Sequence, residues 1–113
     1  MCPQMTASQR AMQLWSVLVF AARNQQFLSY EMIFQMTGLA PQGQALELGK
    51  IWTYCQGKGF PLITTIVLEK GTGMPGDPAL LAAVLDLEAE QRRVFIFDWF
   101  NIRGGCPTLA DFQ

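Results

Sequence analysis

The sequence predicts a single domain of the α+β class, mostly helical, in which two helices joined by a tight turn precede an apolar strand and a short hairpin. The chain has 113 residues, which is the size of one domain. Half of the residues are hydrophobic, enough for a packed core, and only 15% are charged, below the roughly 25% of an average soluble protein. The periodicity of the apolar residues then gives the order of the elements.

The first predicted helix covers residues 5–24. Thr6 caps this helix, and Gln9, three residues later, completes a capping box. Apolar residues recur at helical spacing on one face: Ala11, Leu14, Trp15, Leu18 and Ala22. Because further apolar residues lie between them, we expect the helix to be buried on more than one side, at the centre of the core.

The second predicted helix covers residues 30–37. A short extended piece at 27–28 leads into it, and Ser29 is a favourable N-cap. Gly38 follows the last helical residue, where a left-handed glycine commonly ends a helix.

The third predicted helix covers residues 44–56 and follows a turn at 39–43. Its inward stripe has the spacing i, i+3, i+4 and i+7 and consists of Leu48, Ile51, Trp52 and Cys55. Gly49 lies in the middle of this helix, where glycine costs up to about 1 kcal/mol relative to alanine. We therefore expect a neighbour close to the backbone there, either the second helix or an outside partner.

A strand is predicted over 62–68, because this segment is rich in β-branched residues and has the length of a strand. A tight turn follows at 70–73, and Pro75-Gly76 closes the tip. Helix, turn, helix, strand and tip in this order are typical of a winged helix-turn-helix. We expect the third helix and the tip to lie side by side, and this prediction depends on 62–68 being extended.

A further helix is predicted over 79–92, with Asp77 as its cap and Pro78 at its first position. Residues 94–97 have the composition of a strand. No turn residue separates them from the helix, however, which favours a continued or kinked helix that ends near Trp99.

The single domain, 1–113, is expected to have its core at about 6–100. Residues 101–113 contain two glycines and a proline and are predicted to be an irregular tail. Four aromatic residues precede the tail: Phe95, Phe97, Trp99 and Phe100. Core packing is the default interpretation of this cluster, and a dimer seam or partner anchor is the alternative.

The composition argues against an enzyme. Histidine, the usual general base near neutral pH and the commonest metal ligand, is absent. The three cysteines, Cys2, Cys55 and Cys106, are far apart and form no C-x-x-C pair, so we expect no metal and no cofactor. A reduced, cytoplasmic setting fits them best. The apolar run at 15–22 is too short to span a bilayer, and we expect neither a signal peptide nor membrane association.

The candidate nucleic-acid-binding residues lie at the start of the second helix, on the third helix and at the tip: Tyr30, Gln42, Gln44, Lys50, Thr53, Lys58 and Lys70. Gln and Lys side chains on a recognition helix read base edges in the major groove. An ordinary solvated helix face and a plain hairpin turn are the competing interpretations. The eight basic residues are scattered and the net charge is −1, which argues against strong non-specific binding to nucleic acid.

Several short motifs occur in a characteristic order: Trp15 in the first helix, Ser29-Tyr30-Glu31 before the second, Gly38-Leu39-Ala40-Pro41 at the turn, Leu48-Gly49 in the third helix, Pro61 to Val67 in the strand and Gly71-Thr72-Gly73 to Gly76 at the tip. Over about half the chain this order resembles the C-terminal DNA-binding domain of the alkylguanine DNA alkyltransferases and alkyltransferase-like proteins. The layout is also similar to that of small bacterial proteins encoded near restriction or mobile-element genes.

The resemblance implies a fold that grips DNA, without the chemistry of the family. The family's nucleophilic cysteine falls on Leu62, its histidine on Ile63 and the following arginine on Thr64. Leucine has no lone pair, so alkyl transfer is not expected there. The arginine that the family inserts into the base stack falls near Leu46, which leaves base flipping unsupported.

Two hypotheses follow. The first is a non-catalytic module that binds double-stranded DNA through the helix-turn-helix and the wing, as a regulator on a mobile element. The alternative is a protein-interaction or inhibitor module, including a homodimer, that keeps the fold without a basic face. The low charge content supports the second hypothesis, because exposed apolar area often marks a partner site.

Overall fold

The computed structural model describes residues 6–69, 71–75, 84–102 and 106–112, with the side chains of 41–42 left out. The elements of these residues are helix α1 (Ala7–Arg23), strand β1 (Leu28–Ser29), helix α2 (Tyr30–Thr37), helix α3 (Pro41–Lys58), a first 3₁₀ turn (Ile63–Ile66), strand β2 (Val67–Leu68), helix α4 (Leu87–Ile96) and a C-terminal 3₁₀ turn (Leu109–Phe112). The domain is therefore mostly helical with a small sheet, as the α+β prediction states.

Helix α1 forms the centre of the domain. The predicted capping box is present, since Gln9 N donates to Thr6 Oγ1 at 3.2 Å and Thr6 N donates to Gln9 Oε1 at 2.9 Å. All five residues of the predicted stripe are buried, and Val19 and Ala21 are buried as well. The helix contacts α2, α3, α4 and both 3₁₀ turns, so the expectation of a central core helix is confirmed.

Helices α2 and α3 are joined by a three-residue connection, 38–40. Ser29 caps α2 as predicted, because its Oγ accepts from Met32 N at 3.1 Å. Gly38 ends α2 in the left-handed conformation, with φ 75°. The third helix begins at Pro41 and not at 44, because proline is favourable at the first helical position, where its missing N–H is not needed.

The predicted strand over 62–68 is mostly wrong. Residues 63–66 form a 3₁₀ turn, and the strand β2 is limited to Val67–Leu68. The backbone polar groups bond locally and to α4: Thr65 N donates to Leu62 O at 3.0 Å, and Leu62 N donates to the Glu90 carboxylate at 2.8 Å. Their hydrogen bonds are thus satisfied without a neighbouring strand.

The small sheet pairs β1 with β2 in parallel, with Leu28 opposite Val67 and Ser29 opposite Leu68. A wing would instead need an antiparallel hairpin, and the described residues show only a turn at the predicted tip. Glu69 N donates to Met74 O at 2.7 Å, and Gly73, with φ 66°, donates to Glu69 O at 2.9 Å. A tight turn therefore exists at the predicted tip, but the predicted hairpin strands do not appear in this part of the chain.

Helix α4 begins later than predicted. Residues 84–86 are not helical, and Asp86 caps the helix through a bond from Ala89 N to its carboxylate at 3.2 Å. The predicted start at Asp77-Pro78 lies outside the described residues. The continuation through 94–96 is confirmed, and the helix ends at Ile96, before Trp99.

The predicted irregular tail is wrong for the last described residues. Leu109–Phe112 form a 3₁₀ turn, and Asp111 accepts from Thr108 N at 2.7 Å. Phe112 is 1% exposed and packs on Trp15 and Tyr54, with ring centroids 6.2 and 5.4 Å apart. The core therefore extends to residue 112, because a terminal aromatic ring is buried in it.

The aromatic cluster before the tail is divided between core and surface. Trp99 is buried, and its indole N–H donates to Val94 O at 2.8 Å. The Phe97 ring packs against Trp99 at a tilt of 57°, with centroids 4.5 Å apart, whereas Phe100 is exposed. In the parts of the chain that the structure describes, no helix has the length and apolar character required to cross a membrane.

Candidate functional site

The outward face of α3 contains a groove of about 430 Å³, which we name the α3 groove. Its lining residues come from α3 and from the C-terminal 3₁₀ turn: Ala45, Leu46, Gly49, Lys50, Trp52, Thr53, Asp111 and Phe112. The groove exists because the C-terminal turn packs beside α3 and forms one of its sides. Two of the predicted site residues, Lys50 and Thr53, lie in it.

The floor of the α3 groove is made of small side chains. A Cβ atom added to Gly49 would meet nothing within 4 Å, so open space lies above that residue. Thr53 is exposed, and its hydroxyl donates to Gly49 O at 2.9 Å. The sequence predicted a close neighbour of Gly49, either the second helix or an outside partner. No described residue, including those of α2, fills that position, so an outside partner is the neighbour still expected.

Leu46 is the main apolar group of the groove and is 59% exposed. The resemblance to the alkyltransferases places their intercalating arginine near this residue. Leu46 lies outside the inward stripe of α3, which is the sequence signal that could have identified it as a surface contact.

Trp52 was predicted to point inward but is half-buried and lines the groove. Its indole N–H is shielded from solvent and has no hydrogen-bond acceptor among the described residues. A buried donor without an acceptor costs about 1–3 kcal/mol of stability.

Gln44 is a correction to the predicted site. Its side chain is fully buried, and its Nε2 donates to Tyr30 O at 2.9 Å and to Leu39 O at 2.8 Å. It ties the start of α2 and the α2–α3 connection to α3. A side chain in that position holds α2 and α3 together and does not face an external ligand.

The remaining predicted residues do not converge on the groove. Tyr30 is half-buried at the start of α2. Lys58 is exposed in the last turn of α3, with its Nζ 6.0 Å from the Tyr54 ring centroid, and it does not line the groove. The side chain of Gln42 and all of Lys70 lie outside the described part of the structure.

The chemistry of an alkyltransferase is not supported at the aligned position. The resemblance to the alkyltransferases places the family's nucleophile at Leu62, whose backbone N–H donates to the Glu90 carboxylate at 2.8 Å. The nearest thiol in the core is Cys55, which is buried. Burial, reinforced by the Glu90 carboxylate and opposed by a backbone hydrogen bond at Ile63, raises the pKa of Cys55 to about 12. The thiol is therefore protonated at neutral pH and is a poor nucleophile.

Two other cavities lie against α1. One, of about 360 Å³, lies between α1 and the α2–α3 connection and includes Arg10 and Gly38 in its lining. The other, of about 250 Å³, is bordered by the exposed rings of Phe20 and Phe100, which contact each other at 5.4 Å between centroids. Neither of them contains any of the predicted site residues.

No protein-family model, curated protein or solved structure matches this chain. The surface of the folded chain and its sequence motifs are therefore what indicates its function.

Proposed function

We propose that this chain is a non-catalytic binding module that docks a protein partner through the α3 groove. The observation that carries the proposal is the exposure of Leu46 on an outward face of small and apolar residues, where Lys50 is the single cation among the described lining residues. Transfer of aliphatic surface of this kind from water into an interface lowers the free energy of the complex.

The charges near α3 favour a protein over a duplex. Lys50 and Lys58 are the basic residues of this helix, and Asp111 places a negative charge in the groove. If both lysines neutralised phosphates, the slope of log K against log salt would be about −1.8, well below that of typical duplex-binding proteins. The protein-interaction hypothesis therefore explains the charge distribution better.

Duplex binding is the second candidate, and one observation favours it. Two helices joined by a three-residue connection with a left-handed glycine form the helix-turn-helix arrangement that places a recognition helix in a major groove. The relationship to winged helices stays a prediction based on the three-residue connection and on the sequence motifs. It has lost one premise, because 63–66 is a 3₁₀ turn and not extended, so the predicted placement of the tip beside the third helix loses its basis. We place the module in the cytoplasm, because the described cysteines are unpaired.

A photo-crosslinking amino acid at Leu46 tests the proposal in cells that naturally contain this protein. Leu85, which is also an exposed leucine but lies outside the groove, is the matched control position. We expect a protein adduct from position 46 and none from position 85. Equal adducts from both positions, or none from 46, would contradict docking at the α3 groove.

The same experiment separates the two candidates. A nuclease-sensitive adduct at position 46 would support duplex binding. In parallel, fluorescence anisotropy with a labelled random duplex at low salt measures duplex binding directly. If the groove docks a protein, any duplex binding should be the same for the wild type and for Lys50→Gln. Salt-dependent binding that Lys50→Gln and Lys58→Gln both reduce would favour the second candidate over the first.

A further inference from the structure

The α3 groove carries one cation and one anion. Among the described residues that line it, Lys50 on α3 and Asp111 on the C-terminal turn are the charged ones, so their charges cancel. Among the residues that the structure describes, no ion pair joins the two side chains. Each charge is therefore available to a partner of opposite sign.

The Asp111 carboxylate is already oriented by the fold. Its Oδ2 accepts from Thr108 N at 2.7 Å and from Thr108 Oγ1 at 3.2 Å, which holds the carboxylate at the groove while Oδ1 accepts no hydrogen bond from a described residue. A carboxylate that is already positioned loses little side-chain entropy when it pairs with an incoming cation.

A surface with one positive and one negative group is complementary to itself. In a dimer with two-fold symmetry, the same patch is used on both subunits, and residue i of one contacts residue j of the other in both directions. Two copies of the α3 groove placed face to face in this way bring Lys50 of each copy to Asp111 of the other. Both charges are then paired, which a partner of one sign would not achieve.

The shape of the groove admits a second helix. Ala45, Gly49 and Thr53 recur every four residues, and the space above Gly49 is empty within 4 Å of an added Cβ. Small residues at this spacing allow two helices to approach closely. The two Leu46 side chains, each 59% exposed in the single chain, would bury each other.

We propose that the occupant of the α3 groove is a second copy of this chain, in a two-fold dimer held by reciprocal Lys50–Asp111 ion pairs. This inference rests on the proposed function, since it names the protein partner of the same groove.

A charge exchange tests the pairing by sedimentation equilibrium from micromolar to submillimolar concentration. Wild-type protein should dimerise, and Lys50→Asp or Asp111→Lys alone should weaken the dimer at least about tenfold, because each substitution makes both pairs repulsive. An equimolar mixture of the two variants should form a heterodimer of near wild-type affinity, since both of its pairs are again attractive. Failure of the mixture to associate would overturn the reciprocal pairing.

Two further variants guard against misfolding. Asp111→Asn keeps an oxygen for the Thr108 cap but removes the charge, so it should weaken the dimer several-fold without changing the circular dichroism spectrum. Gly49→Leu fills the groove floor and should abolish the dimer, whereas Gly57→Leu, on the same helix but outside the groove lining, should retain it.

The outcomes also distinguish this inference from the proposed function. A wild-type chain that stays monomeric throughout, while position 46 crosslinks a different protein, overturns the dimer and leaves the binding module in place. A monomer with no adduct at position 46 overturns both. An adduct of the chain with itself, lost in Lys50→Asp, supports both.

Discussion

Replacing Phe112 with alanine should destabilise the whole domain, although the residue lies almost at the end of the chain. Its ring is 1% exposed, contacts Trp15 and Tyr54, and its carbonyl accepts from Ser8 Oγ at 3.4 Å. Truncation of a buried phenylalanine costs about 3–5 kcal/mol, of which each aromatic pair contributes about 0.5–1.5 kcal/mol.

The expected loss is near the lower end of that range, about 3 kcal/mol, because a terminal segment can detach without opening the rest of the core. For a domain of this size, that loss corresponds to a decrease of roughly 12 °C in Tm. Urea denaturation followed by tryptophan fluorescence measures it directly, since the ring packs against Trp15. The slope of the free energy of unfolding against urea should be unchanged or slightly reduced.

Leu109→Ala is the matched control, because Leu109 belongs to the same turn but is exposed. Its effect should stay within about 0.5 kcal/mol. If Phe112→Ala cost less than about 1 kcal/mol, or no more than the control, the C-terminal turn would not belong to the core. The α3 groove would then lose one of its sides in solution.

Four further predictions concern helices α2 and α3 and the two described cysteines. Gln44→Ala should lower the free energy of unfolding by about 1–3 kcal/mol, because it removes the two hydrogen bonds that Gln44 Nε2 donates to Tyr30 O and Leu39 O, and a change below about 0.5 kcal/mol by urea denaturation would contradict the bracing role. Gly49→Ala should raise the free energy of unfolding by up to about 1 kcal/mol, since it improves helix propensity in open space, and destabilisation would mean that the space is filled. Because the pKa of Cys55 is raised from 9.0 to about 12 in the folded state, its contribution is complete below pH 9 and is lost as the pH rises towards 12. The loss amounts to about 1.4 kcal/mol per pH unit. Cys55→Ala should remove this part of the alkaline slope in denaturation curves, and identical slopes for both proteins would refute the shift. A thiol reagent at neutral pH should correspondingly label Cys106, which is exposed, long before Cys55.

The helices were predictable because their signals are local. The capping box of Thr6 and Gln9, the Ser29 cap and the left-handed Gly38 all act between residues within four positions of each other. Such interactions stabilise the same structure in almost any tertiary context. The predicted start of α3 is three residues too late, because proline is common both in turns and at the first position of a helix, where Pro41 lies.

The site was only partly predictable. Lys50 and Thr53 do lie in the α3 groove, since an inward apolar stripe leaves the opposite helix face outside. Gln44 was assigned to the wrong side, because its burial depends on two carbonyl groups of the preceding segment that no periodicity reveals. Asp111 was not considered at all, since its neighbour α3 lies more than fifty positions away in the chain.

The sequence by itself determined where most helices lie and which of their faces are apolar, because propensity, capping and periodicity are properties of neighbouring residues. Only the tertiary structure decided that 63–66 turns and that 109–112 docks. In the first case, the side chains of Glu90 and Gln91 satisfy the backbone of Leu62 and Thr65 at 2.8 and 2.9 Å, so a β-branched run needs no partner strand. In the second, burial of the Phe112 ring against Trp15 and Tyr54 lowers the free energy of the folded chain relative to exposure of that ring to water.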